Sequence, residues 1–276
     1  MRIALINENS QAAKNDMIYS TLKKVADSKG FEVDNYGMYS ADDKAQLTYV
    51  QNGILAAILL NSGAADFVVT GCGTGEGAML ALNSFPGVIC GHVVDPSDAY
   101  MFMQINDGNA IALPFAKGFG WGAELNLTYI FEKLFEGEPG GGYPKERVVP
   151  EQRNKKILDE VRKVAFKDSL IDILKNLDQD LVKGAVAGEK FQELFFANCK
   201  NPVPFGDCQI PGFSSFLSTS YFAVGDTLGV EDQVRIEGKN ANDFVAELEQ
   251  KGNEANKAAL EAAKEAYAMI GIELNY

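Results

Sequence analysis

Short apolar runs alternate with amphipathic stretches through the first 135 residues of the chain. The apolar runs predict five strands, at residues 2–6, 31–36, 66–70, 88–94 and 109–113. Helical periodicity predicts helices at 12–28, 47–60, 78–82 and 122–135, and Pro96 suits the first turn of one more. Such alternation is typical of a parallel sheet with helices on both faces. We therefore predict an α/β, Rossmann-like, doubly wound, five-stranded parallel sheet.

The pattern changes after residue 136. Residues 137–150 are rich in Gly and Pro, as in a linker, and residues 151–183 carry an apolar stripe that predicts one long amphipathic helix. Residues 202–229 predict irregular structure, and residues 241–270 predict a last helix. The chain thus divides into a sheet domain, residues 1–150, and a helical C-terminal extension, residues 151–276, expected to pack on the first domain or on a neighbouring subunit.

Composition limits the classes of partner and the compartment. The formal net charge of −13 disfavours nucleic acid and anionic membranes as main partners, although it leaves room for a small anionic substrate. The sequence shows neither a membrane-length apolar run nor a signal peptide, and its four cysteines lack Cys-x-x-Cys spacing, so we expect reduced thiols and a cytoplasmic protein. A single histidine, His92, makes a His-rich metal site improbable, and we expect it to be an ordinary histidine in a strand. We predict no metal and no cofactor.

The most informative segment is Thr-Gly-Cys-Gly-Thr-Gly-Glu-Gly at residues 70–77, which follows a predicted strand and opens a predicted helix. Free N–H groups at a helix N-terminus bind anions, and they favour the thiolate form of a nearby cysteine. The spacing differs from the Gly-x-Gly-x-x-Gly of dinucleotide sites, and no Lys-Ser/Thr closes it as in a phosphate-binding P-loop. A buried structural role for Cys72 remains the alternative.

Several motifs follow one another along the chain in the same order as in one known family. They are Cys-Gly-Thr-Gly-Glu-Gly at 72–77, Ala-Leu-Asn-Ser-Phe-Pro-Gly at 81–87, Asp95-Pro96, Asn106-Asp107 and the glycines and arginine within 137–147. Over residues 1–150 the sequence resembles ribose-5-phosphate isomerase B and galactose-6-phosphate isomerase. The resemblance implies aldose–ketose isomerisation through a cis-enediol, and a homodimer or homotetramer whose sites borrow residues from a neighbour.

The resemblance also implies roles for individual residues. Cys72 would be the base, Thr74 would help to steady the enediolate, and Glu76 is a second candidate base whose alternative is a helix-capping acid. The candidate substrate-binding residues fall into three groups. They are the loop glycines Gly73, Gly75 and Gly77, the side chains at family-like positions Glu8, Asn9, Tyr49 and Asn106, and the cations Lys117 and Arg147. The two cations would hold the substrate's negative end, although each could instead be a solvated surface cation.

Departures from the family pattern bear on the substrate. Glu8-Asn9 replaces Asp-His, Ile105 replaces a histidine, and Tyr143 replaces a phosphate-binding arginine. An open-chain sugar acid needs neither ring opening nor a full phosphate clamp, and residues 6–11 and 115–122 resemble members that isomerise 4-deoxy-5-keto-uronates. We therefore favour 4-deoxy-L-threo-5-hexosulose uronate. Alternatives are ribose 5-phosphate or galactose 6-phosphate, a non-catalytic sugar-acid or nucleotide binding protein, and, more weakly, a nucleotide-dependent oxidoreductase.

Overall fold

Five parallel strands form one sheet in the computed structural model, which describes residues 1–200. The strands are β1 (Arg2–Ile6), β2 (Glu32–Asn35), β3 (Phe67–Cys72), β4 (Cys90–His92) and β5 (Ala110–Pro114). Their order across the sheet is β2-β1-β3-β5-β4, and every neighbouring pair is parallel. The predicted α/β class and the five-stranded parallel sheet are confirmed.

Helices cover both faces of the sheet. One face carries α1 (Asn15–Ser28), α4 (Pro96–Met101) and α5 (Ala123–Leu134), and the other carries α2 (Tyr49–Ser62) and α3 (Glu76–Asn83). Alternate residues of the three inner strands point into the core under α1 and α5, as the period of two in a strand requires. These core residues are Ile3, Leu5, Phe67, Val69, Ile111 and Leu113.

Capping side chains set where two of these helices begin. Thr48 and Gln51 form a capping box at the start of α2, in which each side chain bonds the other residue's backbone N–H. Asp95 caps α4 by accepting from the backbone N–H groups of Ser97 and Asp98, and Pro96 occupies the first turn, as predicted.

The prediction of one long helix over residues 151–183 is wrong. The chain forms α6 (Val148–Ala165), α7 (Leu170–Asn176) and α8 (Gln179–Val186), followed by α9 (Glu189–Asn198). Ser169 and Asp178 each cap a new helix, accepting from the backbone N–H of Asp172 at 3.1 Å and of Leu181 at 2.9 Å. The breaks turn the later apolar residues toward the sheet domain, so that α8 packs on α2.

Contacts with the sheet domain hold the last of these helices. On α9, the side-chain amide of Asn198 donates to the hydroxyl of Tyr36, 2.8 Å away, just beyond β2. Burial raises the pKa of Tyr36 to about 12. One compact unit spans Met1–Lys200, and the division of the chain at residue 150 stays a prediction. Within it no helix is long and apolar enough to cross a membrane. The expectations for residues 202–229 and 241–270 lie outside the described residues.

The close pairing of β3 and β5 generates a stability prediction. A Cβ on Gly71 would lie 2.3 Å from the Leu113 carbonyl oxygen and 2.5 Å from the Phe115 ring. Gly71→Ala should therefore lower the free energy of unfolding by about 2 kcal/mol, because the strand must shift to admit the methyl group. Urea denaturation of the full chain measures it. Gly120→Ala is the control, since nothing lies within 4 Å of its Cβ position. Equal stability of the two variants would contradict the packing.

Candidate active site

The site begins where the chain reverses its direction of travel across the sheet. From β1 it passes outward to β2 on one side, and β3 then pairs with the other side of β1. In an open parallel sheet, ligands bind in the crevice outside the carboxyl ends of the strands at such a point. The loops that follow β1 and β3 flank this crevice, and the loop that follows β5 borders the β3 loop.

Cys72 is the last residue of β3, and the loop after β5 fixes the turn that follows it. The Cys72 carbonyl accepts from Phe115 N–H at 2.9 Å, and the Gly73 carbonyl accepts from Ala116 N–H at 3.0 Å and Lys117 N–H at 3.2 Å. These bonds use the carbonyl groups of the turn. The first turn of α3 begins immediately afterwards, with Gly75 as its N-cap.

The sulfur of Cys72 accepts a hydrogen bond from the backbone N–H of Gly75, at 3.2 Å. Gly75 has a φ of +80°, a left-handed conformation that favours glycine, and this conformation lets the chain fold back over the sulfur. Cys72 is 7% exposed, with this backbone donor beside it. Among residues 1–200, Cys90 is a second buried free thiol, and desolvation raises its pKa well above the usual range.

Three other predicted residues lie on the same turn and helix. Thr74 and Glu76 are exposed, and Glu76 is the first residue of α3, where a carboxylate is stabilised by the helix dipole. Gly77 lies under the ring of Tyr49, since a Cβ there would be 3.3 Å from the ring atoms. The structure therefore brings Tyr49, from the start of α2, to the glycine loop. Whether Glu76 is a base or a cap stays a prediction.

Glu8 and Asn9 lie in the loop after β1. Glu8 is 3% exposed, and its two carboxylate oxygens accept from Ser10 N–H at 2.8 Å and from Ser10 Oγ at 2.6 Å. Asn9 is exposed, and its backbone N–H donates to the Leu47 carbonyl at 2.8 Å. The Glu8 carboxylate thus holds the turn, and the Asn9 side chain faces solvent beside it.

A cation in this loop was missed from the sequence. The ammonium of Lys14 donates to Gln11 Oε1 at 2.7 Å and to the backbone carbonyl of Phe115, and it lies 4.7 Å from the centre of the Phe119 ring. The ammonium has three N–H donors, and these two bonds use two of them. Lys14 lies on the predicted first helix, residues 12–28, where a lysine is normally expected to face solvent. The signal for it was its position in the segment that connects the carboxyl end of β1 to α1.

Gln11 connects this cation to Glu8. Its Nε2 donates to Ser10 Oγ at 3.0 Å, and Ser10 Oγ donates in turn to Glu8 at 2.6 Å. A Cβ on Gly73 would lie 3.9 Å from Gln11 Nε2, so the amide stands against the cysteine turn. The donors run in one direction from the ammonium to the buried carboxylate. The loop after β1 therefore places a chain of hydrogen-bonded polar side chains beside the cysteine turn.

His92 also reaches the cysteine turn. It ends β4, and its Nε2 lies 2.9 Å from the carbonyl oxygen of Thr74. We expected an ordinary histidine in or beside a strand, and the strand is as expected. The contact with the turn was missed, although the parallel sheet places the ends of β3 and β4 at one edge.

The structure does not bring Asn106 and Arg147 to Cys72 within one chain. Asn106 ends a short π-helix, Phe102–Asn106, that leads into the amino end of β5, whereas Cys72 pairs with Pro114 at the carboxyl end. The length of β5 alone separates these edges by roughly 13 Å. Arg147 precedes α6, which packs against that π-helix, and its guanidinium contacts Glu151 at 3.4 Å. Asn106 therefore lies at the amino end of β5, away from the edge of the sheet where Cys72 ends β3, and the site roles of Asn106 and Arg147 stay predictions.

Lys117 is exposed, and its backbone N–H belongs to the cysteine turn. Its side chain can therefore reach solvent above the crevice. Within residues 1–200 no three His, Cys, Asp or Glu side chains cluster as metal ligands would. The loops around the crevice carry a thiol, a backbone N–H donor, an amide and lysine cations, which suit an anionic ligand, together with the carboxylates of Glu8 and Glu76.

Comparison with known proteins gives two family matches and several similar structures. Residues 3–138 match the family described as Ribose/Galactose Isomerase, and residues 164–203 match one described as Ribose-5-phosphate isomerase. A crystal structure of 4-deoxy-L-threo-5-hexosulose-uronate ketol-isomerase complexed with a tartrate is 64% identical, with a TM-score of 0.74, and the match covers 78% of this chain and 100% of that chain.

Two further structures resemble the protein to different degrees. Ribose-5-phosphate isomerase LacAB_rpiB from Vibrio parahaemolyticus is 52% identical, with a TM-score of 0.73, over 77% of this chain and 99% of that one. The type B ribose 5-phosphate isomerase of Leishmania infantum is 18% identical, with a TM-score of 0.50, over 60% of this chain and 98% of that one. This last likeness bears on the fold alone.

Proposed function

Since the chain belongs to the ribose/galactose isomerase family and is a sugar isomerase, an intramolecular oxidoreductase, we propose that it converts an open-chain sugar acid from aldose to ketose. The favoured substrate is 4-deoxy-L-threo-5-hexosulose uronate. The observation that carries the proposal is the thiol of Cys72, which ends β3 with the Gly75 N–H directed at its sulfur. The 64% identity to a ketol-isomerase for this uronate supports the choice of substrate.

In the proposed mechanism, the Cys72 thiolate removes the proton from C2, and the oxygen of the C1 aldehyde takes up the negative charge of the enediolate. The cysteine then returns a proton at C1, while the proton of the C2 hydroxyl passes to the C1 oxygen, so that C2 becomes the carbonyl carbon. Electrons and protons balance within the substrate, so neither an oxidant nor a reductant is required. The N–H groups of the turn and Thr74 stabilise the negative oxygen as it forms. A catalytic thiol of this kind suits a reducing compartment, which supports a cytoplasmic location.

The acidic end of the substrate needs a cation within reach of the turn. Lys14 meets this requirement, because its ammonium bonds the Phe115 carbonyl and the N–H of that residue bonds the Cys72 carbonyl. Lys117 is the predicted alternative on the same side. A lysine is a compact point charge and suits one carboxylate, whereas a phosphate is more often held by the bidentate arginine fork.

We assign Asn106 and Arg147 to the site of a neighbouring copy in a homo-oligomer. Both lie at the edge of the sheet opposite Cys72, so a two-fold related chain is the way for them to reach it. A homodimer satisfies this requirement with the smallest assembly.

Ribose 5-phosphate is the second candidate substrate, because a 52% identical chain is a ribose-5-phosphate isomerase of Vibrio parahaemolyticus. The phosphate would need a stronger anion clamp than the lysines beside Cys72 provide. A binding protein without turnover is the third candidate. Turnover on a panel of the keto-uronate, ribose 5-phosphate and galactose 6-phosphate distinguishes both candidates from the favoured reaction.

The catalytic role of Cys72 is tested by turnover on the keto-uronate, ribose 5-phosphate and galactose 6-phosphate in D₂O. The wild type should convert the keto-uronate fastest and introduce deuterium at the carbon that receives the proton. Cys72→Ser should lose about 10³-fold in kcat, because a serine hydroxyl loses its proton far less readily than a cysteine thiol near neutral pH. Cys90→Ser is the control, since Cys90 lies off the turn. Wild-type turnover by Cys72→Ser would exclude the assigned base.

The role of Lys14 is tested by Lys14→Met, which removes the charge and keeps the length of the side chain. The KM for the keto-uronate should rise about tenfold with kcat little changed, because a charge-assisted hydrogen bond to the bound carboxylate is lost. Lys24→Met, on the exposed surface of α1, is the control. A rise in KM for Lys117→Met with none for Lys14→Met would transfer the role to Lys117.

The shared site is tested by complementation between two inactive chains. Cys72→Ala and Arg147→Ala chains should each form weakly active or inactive dimers, whereas purified mixed dimers of the two should regain about half of wild-type activity, because they contain one intact site of two. The purified mixed species is assayed by steady-state kinetics. A monomer in sedimentation, or no recovery in confirmed mixed dimers, would refute the arrangement.

A further inference from the structure

The only histidine of the chain lies against the peptide group that contacts the cysteine. His92 ends β4, and β5 separates it from β3, with both His92 and Thr70 in register with Ala112. Its Nε2 lies 2.9 Å from the Thr74 carbonyl oxygen. Because a carbonyl oxygen can only accept, the hydrogen of this bond is on Nε2.

The same peptide group contacts the sulfur at its other end. The Thr74 carbonyl and the Gly75 N–H belong to one planar peptide unit, and in a trans peptide they point in opposite directions. The N–H donates to Cys72 Sγ at 3.2 Å, while the carbonyl accepts from His92 at 2.9 Å. The unit is therefore held between the imidazole and the sulfur.

This peptide unit needs an external restraint. Glycine at φ +80° adopts alternative conformations more readily than other residues, so the unit before α3 could rotate. A rotated unit would direct the Thr74 carbonyl toward the sulfur, where it would repel a thiolate and a developing oxyanion. The imidazole packs directly against the glycine, since a Cβ on Gly75 would lie 2.8 Å from His92 Nε2.

From this geometry we infer that His92 is a positioning residue for Cys72, acting through the Thr74–Gly75 peptide. Its donated hydrogen bond fixes the carbonyl away from the crevice and keeps the N–H on the sulfur. The bond also polarises the peptide, which strengthens the donor on its far side. The inference rests on the proposed role of Cys72 as the base, because it states how that thiolate is oriented and stabilised.

Two substitutions separate this role from a structural one. His92→Leu removes the donor, and His92→Gln can keep an N–H near the position of Nε2. His92→Leu should lower both kcat and the iodoacetamide alkylation rate of Cys72 by about tenfold at neutral pH, with KM nearly unchanged, because the sulfur loses its oriented donor. His92→Gln should recover most of both losses. Thermal unfolding of the variants shows whether folding contributes.

The tautomer gives a readout on the unmodified protein. Since the chain contains one histidine, ¹⁵N-detected NMR should show a single pair of ring nitrogens with the hydrogen on Nε2. A hydrogen on Nδ1 alone, an unchanged alkylation rate in His92→Leu, or equal losses in His92→Leu and His92→Gln would overturn the inference. Alkylation and NMR need no turnover, so they test the positioning of the sulfur even if Cys72→Ser remains active and the proposed function fails.

Discussion

The hydrogen bond from the Gly75 amide to the sulfur of Cys72 is the contact on which the account of this protein depends. It requires a glycine at φ +80°, a strand that ends at Cys72 and a helix that starts four residues later. A thiol beside an oriented N–H donor, at the start of a helix, can carry negative charge. Without that donor, Cys72 would be one more small side chain at the edge of the core.

The rest of the fold serves to hold this turn. β3 lies between β1 and β5, and the loop after β5 uses three backbone N–H groups to bind the carbonyls of Cys72 and Gly73. The loop after β1 adds a chain of polar side chains that runs from Lys14 to Glu8. His92 approaches from the edge strand on the other side. Three separate segments of sequence thus fix one turn, because the carboxyl ends of parallel strands meet at one edge of the sheet.

Much of this was accessible from the sequence. β1 and β3 come from short continuous apolar runs, and the glycine turn follows at once, so the strand, the loop and Cys72 could all be placed. The helices after residue 150 could not, because one apolar stripe continues across three helices and the breaks depend on the caps at Ser169 and Asp178. Lys14 and His92 were missed for a related reason, since their contacts join elements far apart in sequence. Asn106 was predicted at the site by resemblance, yet strand direction places it at the opposite edge.

The most direct test of the central claim is alkylation of the wild-type protein by iodoacetamide, followed by peptide mass spectrometry and residual activity on the keto-uronate. Burial raises the pKa of Cys90 and disfavours its thiolate, so that thiol is an internal reference at similar exposure. We predict that Cys72 is labelled well before Cys90, that the keto-uronate slows this labelling, and that activity falls in proportion to the labelled fraction. Full activity in chains labelled at Cys72 would contradict it.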